Sequence, residues 1–212
     1  MRLLTLKNGL QIYAHDKGEY VSDVIEQTGW YYEPKTIDYI KNLGLKNCTI
    51  LDIGANIGNH SHAIEHYSTD CAIYSFEPLQ ANYTVLKANV KSPINLFVTD
   101  NLETENFITS FWGKDNLGYT GLSDTGQSCK NITIDSILFS QKVGLIKIDI
   151  EGHELQALKG AFETIDKHLP CIIAEHHTNE EHIQVMKYLK QFGYYLATII
   201  EEDNLNYVYK PI

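Results

Sequence analysis

The apolar residues of the chain fall into short continuous runs, separated by stretches with helical spacing. Five of these runs predict buried β-strands: residues 49–53, 72–76, 94–98, 145–150 and 171–174. Between them, apolar residues three or four positions apart predict amphipathic helices. Runs that are apolar throughout, without strict alternation, are typical of a parallel sheet covered on both faces. The pattern therefore predicts a doubly wound α/β domain.

Turn signals mark the two ends of the chain. Asn8-Gly9 separates two β-prone runs within residues 3–14, and this dipeptide predicts a β-hairpin. Near the C-terminus, residues 194–200 and 205–209 flank a polar turn. They predict an antiparallel pair of strands at the end of the chain.

The segment 101–143 departs from the alternation of strands and helices. Residues 106–112 and 130–134 predict extra strands, joined by a stretch rich in Gly, Asn, Ser and Asp at 113–126. Loops on a rigid scaffold often carry function. We interpret the segment as an irregular insertion that either walls a substrate site or is a hairpin without function.

Charge and hydropathy exclude several classes of partner. The chain of 212 residues carries 27 Asp and Glu against 17 Lys and Arg, a net charge of -10. Nucleic acid and anionic membranes repel a negative body, so neither is an expected partner. No stretch approaches the roughly 20 consecutive apolar residues of a membrane span.

The cysteines predict no metal site or disulfide framework. Cys48, Cys71, Cys129 and Cys171 lie far apart and form no C-x-x-C pair. We expect four reduced thiols. Since the first residues also lack a signal-peptide pattern, we expect a cytoplasmic protein.

A glycine turn after the first parallel strand is the first candidate site. Its predicted cofactor-binding residues are Asp52, Gly54, Ala55, Asn56 and Gly58. In open α/β sheets, ligands bind at the carboxyl ends of the strands. The turn lacks the dinucleotide fingerprint G-x-G-x-x-G, because Asn56 replaces the glycine that approaches a pyrophosphate. A carboxylate at Asp52 favours a ligand with a positive group, such as an amino-acid ammonium.

The next two predicted strands end in polar residues that extend this site. Glu77, followed by Pro78, lies about 20 residues after Gly54, where a carboxylate can accept both hydroxyls of a ribose. Asp100 and Asn101 end the third strand and are placed to meet an adenine edge. An amino acid, a ribose and a base together make S-adenosylmethionine, the predicted cofactor.

The fourth parallel strand runs into a cluster of ionisable residues. We predict that Asp149, Glu151 and His153 position and deprotonate an acceptor hydroxyl, because methyl transfer to oxygen needs a base beside the acceptor. In the alternative interpretation, Asp149 and Glu151 only cap the following helix and orient its backbone.

The fifth strand ends in Glu175-His176-His177, which we expect to open into the same crevice as Asp149. Three interpretations remain open for these residues. They contact substrate, they are structural, or with Asp149 they hold a divalent metal that lowers the pKa of the acceptor. No metal ligand is assigned.

Three segments, LDIGANIGNHS, FEP and IKIDIEGHELQALKGA, resemble the FkbM family of S-adenosylmethionine-dependent methyltransferases. The likeness covers roughly residues 29–175. It implies a Rossmann-like class I methyltransferase fold, with a mostly parallel seven-stranded sheet and an antiparallel C-terminal strand. Residues 29–33 also look like a family feature, and we assign Glu33, together with Glu175 and His176, to substrate binding.

The resemblance implies O-methylation of a hydroxyl on a sugar, a glycan or another small natural product. We predict one methyltransferase domain over residues 1–212, in which 1–33 form the hairpin and a lead-in. Two alternatives are a nicotinamide-dependent oxidoreductase and a non-catalytic S-adenosylmethionine-binding module. Asn56 disfavours the first, and the intact ionisable residues of the IDIEGHE segment disfavour the second.

Overall fold

A computed structural model describes residues 1–103, 106–111 and 113–212. Its strands are β1 (Arg2–Thr5), β2 (Gln11–Ala14), β3 (Thr49–Ile53), β4 (Ala72–Phe76), β5 (Pro93–Ile94), β6 (Phe97–Val98), β7 (Asn106–Ser110), β8 (Thr120–Ser123), β9 (Gln127–Cys129), β10 (Asn131–Ile132), β11 (Val143–Ile148), β12 (Cys171–Glu175), β13 (Tyr194–Glu201) and β14 (Leu205–Pro211). Its α-helices are α1 (Tyr20–Thr28), α2 (Pro34–Asn42), α3 (Asn59–Tyr67), α4 (Gln80–Asn89), α5 (Glu154–Lys159), α6 (Phe162–His168) and α7 (Asn179–Leu189). Trp112 of the predicted strand 106–112 lies outside the described residues.

A seven-stranded sheet forms the centre of the molecule, in the order β13-β14-β12-β11-β3-β4-β5. The five strands from β12 to β5 are parallel, and β14 is antiparallel to both of its neighbours. The predicted α/β fold with a mostly parallel sheet is confirmed. The order is not that of the six-stranded Rossmann sheet, because β14 lies between β12 and β13.

Helices cover both faces of the sheet. Ile50 of β3 packs with Ile40 of α2 and Ile64 of α3. The next residue, Leu51, points to the opposite face and packs in the cluster that contains Leu158 of α5. Burial on both faces explains why the strands are apolar throughout.

The N-terminal hairpin predicted at Asn8-Gly9 is confirmed, since β1 and β2 pair in antiparallel register. Ile12 of the hairpin packs against Ile25 of α1 and Val85 of α4. Sequence analysis missed α1, which follows directly and whose first turn is capped by the carboxylate of Glu19.

The predicted third strand, residues 94–98, is wrong as a single strand. β5 ends at Ile94, and β6 pairs instead with β10 of the insertion. The break lies at Asn95, whose side-chain amide donates to the carbonyl oxygens of Glu77 and Pro78. This contact turns the chain out of the sheet.

The insertion forms a second, three-stranded antiparallel sheet in the order β8-β7-β9. Residues 104 and 105 of the insertion lie outside the described residues. None of the helices in the described part of the chain has the length and apolar character that a bilayer span requires.

Candidate functional site

A cavity of about 410 Å³ opens at the carboxyl ends of β3, β4, β11 and β12. This volume lies within the usual range for small-molecule sites, roughly 300–1,000 Å³. Nine of the predicted site residues line it: Glu33, Gly54, Ala55, Asn56, Glu77, Pro78, Asp149, Glu151 and Glu175. Six others do not: Asp52, Gly58, Asp100, Asn101, His153 and His176.

The glycine turn brings the ends of β3 and β11 into direct contact. Gly54 has a φ of 83°, and a Cβ built on it would lie 1.8 Å from the carbonyl oxygen of Asp149. No side chain fits there. Gly58, with a φ of 90°, lies at the start of α3, where it packs against Leu86 of α4 and does not line the cavity.

Glu77 connects the glycine turn to the end of β4. Its Oε2 accepts a hydrogen bond from the backbone N–H of Asn56 at 2.9 Å, and its Oε1 accepts one from Leu79 at 2.8 Å. Burial raises the pKa of Glu77 to about 8, although both hydrogen bonds act in the opposite direction. The carboxyl group therefore lies at the cavity wall with its orientation fixed by the backbone.

Asp52 lies beneath the turn and not in the cavity. Its Oδ2 accepts a 2.6 Å hydrogen bond from Ser61, and its Oδ1 is 3.8 Å from the ammonium of Lys147. These contacts are internal to the fold. The structure does not place this carboxylate where the predicted ligand ammonium would meet it.

Lys147 is a buried residue that sequence analysis missed. Its ammonium lies 3.2 Å from Oδ2 of Asp149, and the side chain is 1% exposed. Burial alone would lower the pKa of Lys147, but Asp149 and Asp52 raise it above its ordinary value. A charged residue within the apolar run 145–150 was the signal available in the sequence.

Asp149 and Glu175 form a coupled pair of carboxyl groups. Burial acts to raise the pKa of Asp149, yet the nearby Lys147 lowers it below the usual range. Burial and the charge of Asp149 raise the pKa of Glu175. Because the two shifts have opposite directions, a proton shared by the pair favours Glu175 over Asp149.

Glu151 and His177 form a second pair at the cavity edge. Nε2 of His177 lies 2.7 Å from Oε2 of Glu151. Burial raises the pKa of Glu151, and the hydrogen bond to Glu151 raises the pKa of His177. The charged pair stands next to Asp149 in the same cavity.

His177, and not His176, lines the cavity. Side chains alternate between the two faces of a strand, so position 177 shares a face with Glu175 and position 176 does not. His176 is 2% exposed, and its Nε2 lies 3.0 Å from the hydroxyl of Tyr209 on the other face. The period-two spacing of β12, continued two residues beyond its last residue Glu175, is the signal that would have found His177.

His153, Asp100 and Asn101 lie away from the cavity. Nε2 of His153 is 3.2 Å from Oγ1 of Thr99, and burial lowers the pKa of this histidine. Asp100 and Asn101 are exposed. The apolar side chains of Phe97, Ile108 and Leu117 line the cavity on this side instead.

Backbone strain is concentrated at the cavity. In the described residues, six positions other than glycine have a positive φ, and three of them line it: Glu33 at 52°, Asn56 at 50° and Glu151 at 55°. Such conformations cost about 1–3 kcal/mol each and cluster at functional sites.

The insertion forms one wall of the cavity through residues 116–120. The side-chain amide of Asn82 on α4 donates to the carbonyl oxygen of Leu117 at 2.9 Å. Oδ1 of Asn116 accepts from the backbone N–H of Gly118 at 3.0 Å. The insertion thus borders the cavity, and its role in substrate binding stays a prediction.

Residues 52–196 match the family described as methyltransferase FkbM domain. The chain belongs to the FkbM methyltransferase family. Among curated proteins, no match is found. Membership in a methyltransferase family removes the support for a nicotinamide-dependent oxidoreductase.

Solved structures similar to this FkbM protein include an FkbM methyltransferase from Methylobacillus flagellatus KT. It is 19% identical with a TM-score of 0.56, and the alignment covers 78% of this chain but only 44% of that one. A putative rRNA methylase from Clostridium thermocellum is 12% identical over 84% of this chain and 94% of that one, with a TM-score of 0.53. A precorrin-6y C5,15-methyltransferase from Geobacter metallireducens GS-15 is 13% identical over 82% and 86%, with a TM-score of 0.50. These similarities show the fold.

Part of the cavity lies outside the matched FkbM segment. Tyr20, Tyr32 and Glu33 precede residue 52 and line the cavity, as do Asp203 and Asn204 after residue 196. The hydroxyl of Tyr20 donates to Oδ2 of Asp203 at 3.0 Å. This hydrogen bond connects the N-terminal and C-terminal segments that line the cavity opening, which we call its mouth.

Proposed function

We propose that this FkbM protein binds S-adenosylmethionine and catalyses methylation of a hydroxyl group on a sugar, a glycan or another small natural product. One observation carries the proposal. A single cavity contains both Glu77 at the end of β4 and the carboxyl groups of Asp149 and Glu151 after β11. The first suits a ribose, and the other two suit an acceptor hydroxyl.

The residues present fit the cofactor. Gly54 and Asn56 bring the backbone of the glycine turn to the cavity, and Glu77 offers its carboxyl group to ribose hydroxyls. Oε2 of Glu33 and Oδ1 of Asn56 are buried and have no hydrogen-bond partner among the described residues. Two such oxygens suit a ligand that brings an ammonium group. Bound S-adenosylmethionine would supply a methyl group attached to a cationic sulfur, and this sulfur becomes a neutral thioether when the methyl group moves to the acceptor oxygen.

Asp149 and Glu151 suit two different tasks toward the acceptor. Lys147 keeps Asp149 ionised, so this carboxylate can accept a hydrogen bond from a neighbouring hydroxyl of the acceptor and orient the molecule. Glu151 has a raised pKa and is the stronger base of the two. The hydroxyl proton passes to Glu151. Before the transfer, His177 at 2.7 Å balances the negative charge of the Glu151 carboxylate.

The lining of the cavity supports a neutral or cationic acceptor. It contains the carboxyl groups of Asp149, Glu151, Glu175 and Asp203, and no lysine or arginine among the described lining residues. Phosphorylated acceptors are disfavoured because these carboxylates repel phosphate. Tyr rings at the mouth offer flat apolar faces for a sugar ring.

Replacing Asp149 with Asn tests the proposal. We expect S-adenosylhomocysteine affinity to change by less than about tenfold, and methyl transfer to fall by about 100-fold or more, because the acceptor loses its orienting carboxylate. The measurement is transfer of labelled methyl from S-adenosylmethionine to a panel of neutral, amino and phosphorylated sugars.

Asp166→Asn, an exposed position on α6, is the matched control and should behave as wild type. Equal turnover in Asp149→Asn and wild type would remove Asp149 from the reaction. Binding without transfer to any acceptor of the panel would favour the non-catalytic module.

A further inference from the structure

Three side chains that commonly bind metal ions converge at the edge of the cavity. Nε2 of His177 lies 2.7 Å from Oε2 of Glu151 and 3.9 Å from Oε2 of Glu175. One ligand atom from each residue lies within 4.8 Å of the other two. Two ligands of a single ion, each about 2.0–2.2 Å from it, are at most about 4.4 Å apart. Small side-chain movements therefore suffice to place all three on one ion.

The backbone fixes this trio from three directions. Glu151 has a φ of 55° and is followed by Gly152 at 89°, which turns the Glu151 side chain toward the end of β12. Glu175 is the last residue of β12 and is 4% exposed. The backbone N–H of His177 donates to Oε2 of Glu181 at 2.9 Å, and Glu181 also completes the capping box of α7. The backbone positions of the three residues are therefore set by contacts within the fold.

A buried carboxylate oxygen without a partner lies beside the trio. Asn206, the register partner of Glu175, donates its side-chain amide to Oε1 of Glu33 at 3.3 Å. Oε2 of Glu33 is 3.2 Å from Nε2 of His60, but neither atom has a hydrogen-bond partner among the described residues. Glu33 is 4% exposed and lines the same cavity. Under the proposed function this oxygen accepts the cofactor ammonium, so Glu33 is not counted among the metal ligands.

The trio lies beside another carboxyl group, since Asp149, Glu151 and Glu175 all line the cavity and Lys147 contacts Asp149. Ligands bind a metal ion in their deprotonated form, so a bound ion would displace the proton that Glu175 shares with Asp149.

We propose that Glu151, Glu175 and His177 bind a divalent metal ion. Two carboxylates with one imidazole suit Mn²⁺ or Zn²⁺ better than Mg²⁺ or Ca²⁺, which favour all-oxygen ligand sets. The catalytic consequence rests on the proposed function: a hydroxyl bound to the ion has a lowered pKa. Asp149, which is outside the ligand set, then accepts its proton in place of Glu151.

Titration of the metal-stripped full chain with MnCl₂, followed by electron paramagnetic resonance of free Mn²⁺, tests the site without any acceptor. We expect one ion per chain. Glu151→Gln and His177→Gln should each weaken Mn²⁺ binding by about tenfold or more, since each removes one ligand. Asp203→Asn removes a carboxylate of the same cavity outside the trio and should change the affinity by less than about twofold.

His177 has a side chain that is 30% exposed, so His177→Gln keeps the fold measurable if the Glu151 variant does not. No Mn²⁺ or Zn²⁺ binding by wild type at millimolar metal overturns the site, as does unchanged affinity in the folded His177 variant. S-adenosylhomocysteine binding by the same sample is measured in parallel. If the sample binds S-adenosylhomocysteine but no metal ion, the metal site alone is refuted and the methyltransferase proposal stays in place.

Discussion

At the scale of single residues, the site depends on how closely two strand ends approach each other. Gly54 and the carbonyl group of Asp149 are in contact because position 54 carries no side chain. That contact sets the distance between the glycine turn and the acidic residues after β11. The strands on either side are paired in parallel register, with Ile53 opposite Ile148, so neither can move alone.

Gly54→Ala should therefore destabilise the protein more than Gly9→Ala. The two glycines have nearly the same φ, 83° and 84°, but a Cβ on Gly9 meets nothing within 4 Å. Their φ angles impose a similar penalty on an alanine, so the difference in stability chiefly reports the contact with Asp149. We expect Gly54→Ala to lower the free energy of unfolding by at least about 2 kcal/mol more than Gly9→Ala, in urea titrations. Equal losses would show that the strand ends separate freely.

The residues of the site could be predicted only as far as local pattern allows. Glu77, Asp149 and Glu151 follow apolar runs, and the sheet rule places them correctly at the cavity. Asp52 precedes the end of its strand, so it faces the interior and binds Ser61. His153 begins α5 and turns toward Thr99. These orientations depend on tertiary contacts that one sequence does not encode locally.

At the scale of elements, Glu154 holds the turn that presents Glu151. It is 3% exposed, and its Oε1 accepts from the backbone N–H groups of Ile150 and Gly152 at 3.3 and 3.1 Å. Burial raises the pKa of Glu154 from 4.5 to about 7 despite these hydrogen bonds. The folded protein therefore binds more protons at Glu154 than the unfolded chain between these two values.

The stabilisation that Glu154 gives the folded protein decreases as the pH rises. A raised folded-state pKa gives a stabilisation that is full below pH 4.5 and is lost as the pH rises through about 7. Glu154→Gln keeps an acceptor oxygen but does not titrate. We expect the stability of this variant, relative to wild type, to be higher at about pH 8 than at about pH 5 in urea titrations.

Glu163→Gln, an exposed position on α6, is the control and should show the same relative stability at both pH values. If the Glu154 variant behaves like this control, the carboxyl group does not titrate in the folded turn.

The elements themselves were largely predictable where burial on both faces made strands apolar throughout. The predicted strands at 49–53, 72–76, 145–150 and 171–174 correspond to β3, β4, β11 and β12. The run 94–98 was wrongly predicted to be a single strand because Asn95 leaves the sheet and donates hydrogen bonds to two carbonyl oxygens. Position 95 is a polar interruption whose partners lie 17 and 18 residues away, beyond the reach of periodicity.

At the scale of the whole molecule, the cavity is assembled from segments that are distant in sequence. The parallel strands supply its floor, the insertion at 116–120 one wall, and Tyr20, Tyr32 and Asp203 its mouth. A net charge of -10 and an acidic lining disfavour the binding of polyanions in this cavity. The structural similarity to an rRNA methylase thus concerns the fold, and we expect a small, non-anionic acceptor for this chain.

Calorimetric titration with S-adenosylhomocysteine tests whether this cavity binds S-adenosylmethionine. NAD serves as the parallel ligand, and Glu77→Ala as the variant. We expect one saturable site for S-adenosylhomocysteine and none for NAD. Glu77→Ala should lower the affinity by about tenfold or more, because it removes a buried hydrogen-bonding group proposed to contact the ribose. Absence of S-adenosylhomocysteine binding at two temperatures, or unchanged affinity in a folded Glu77→Ala variant, would contradict S-adenosylmethionine binding in this cavity.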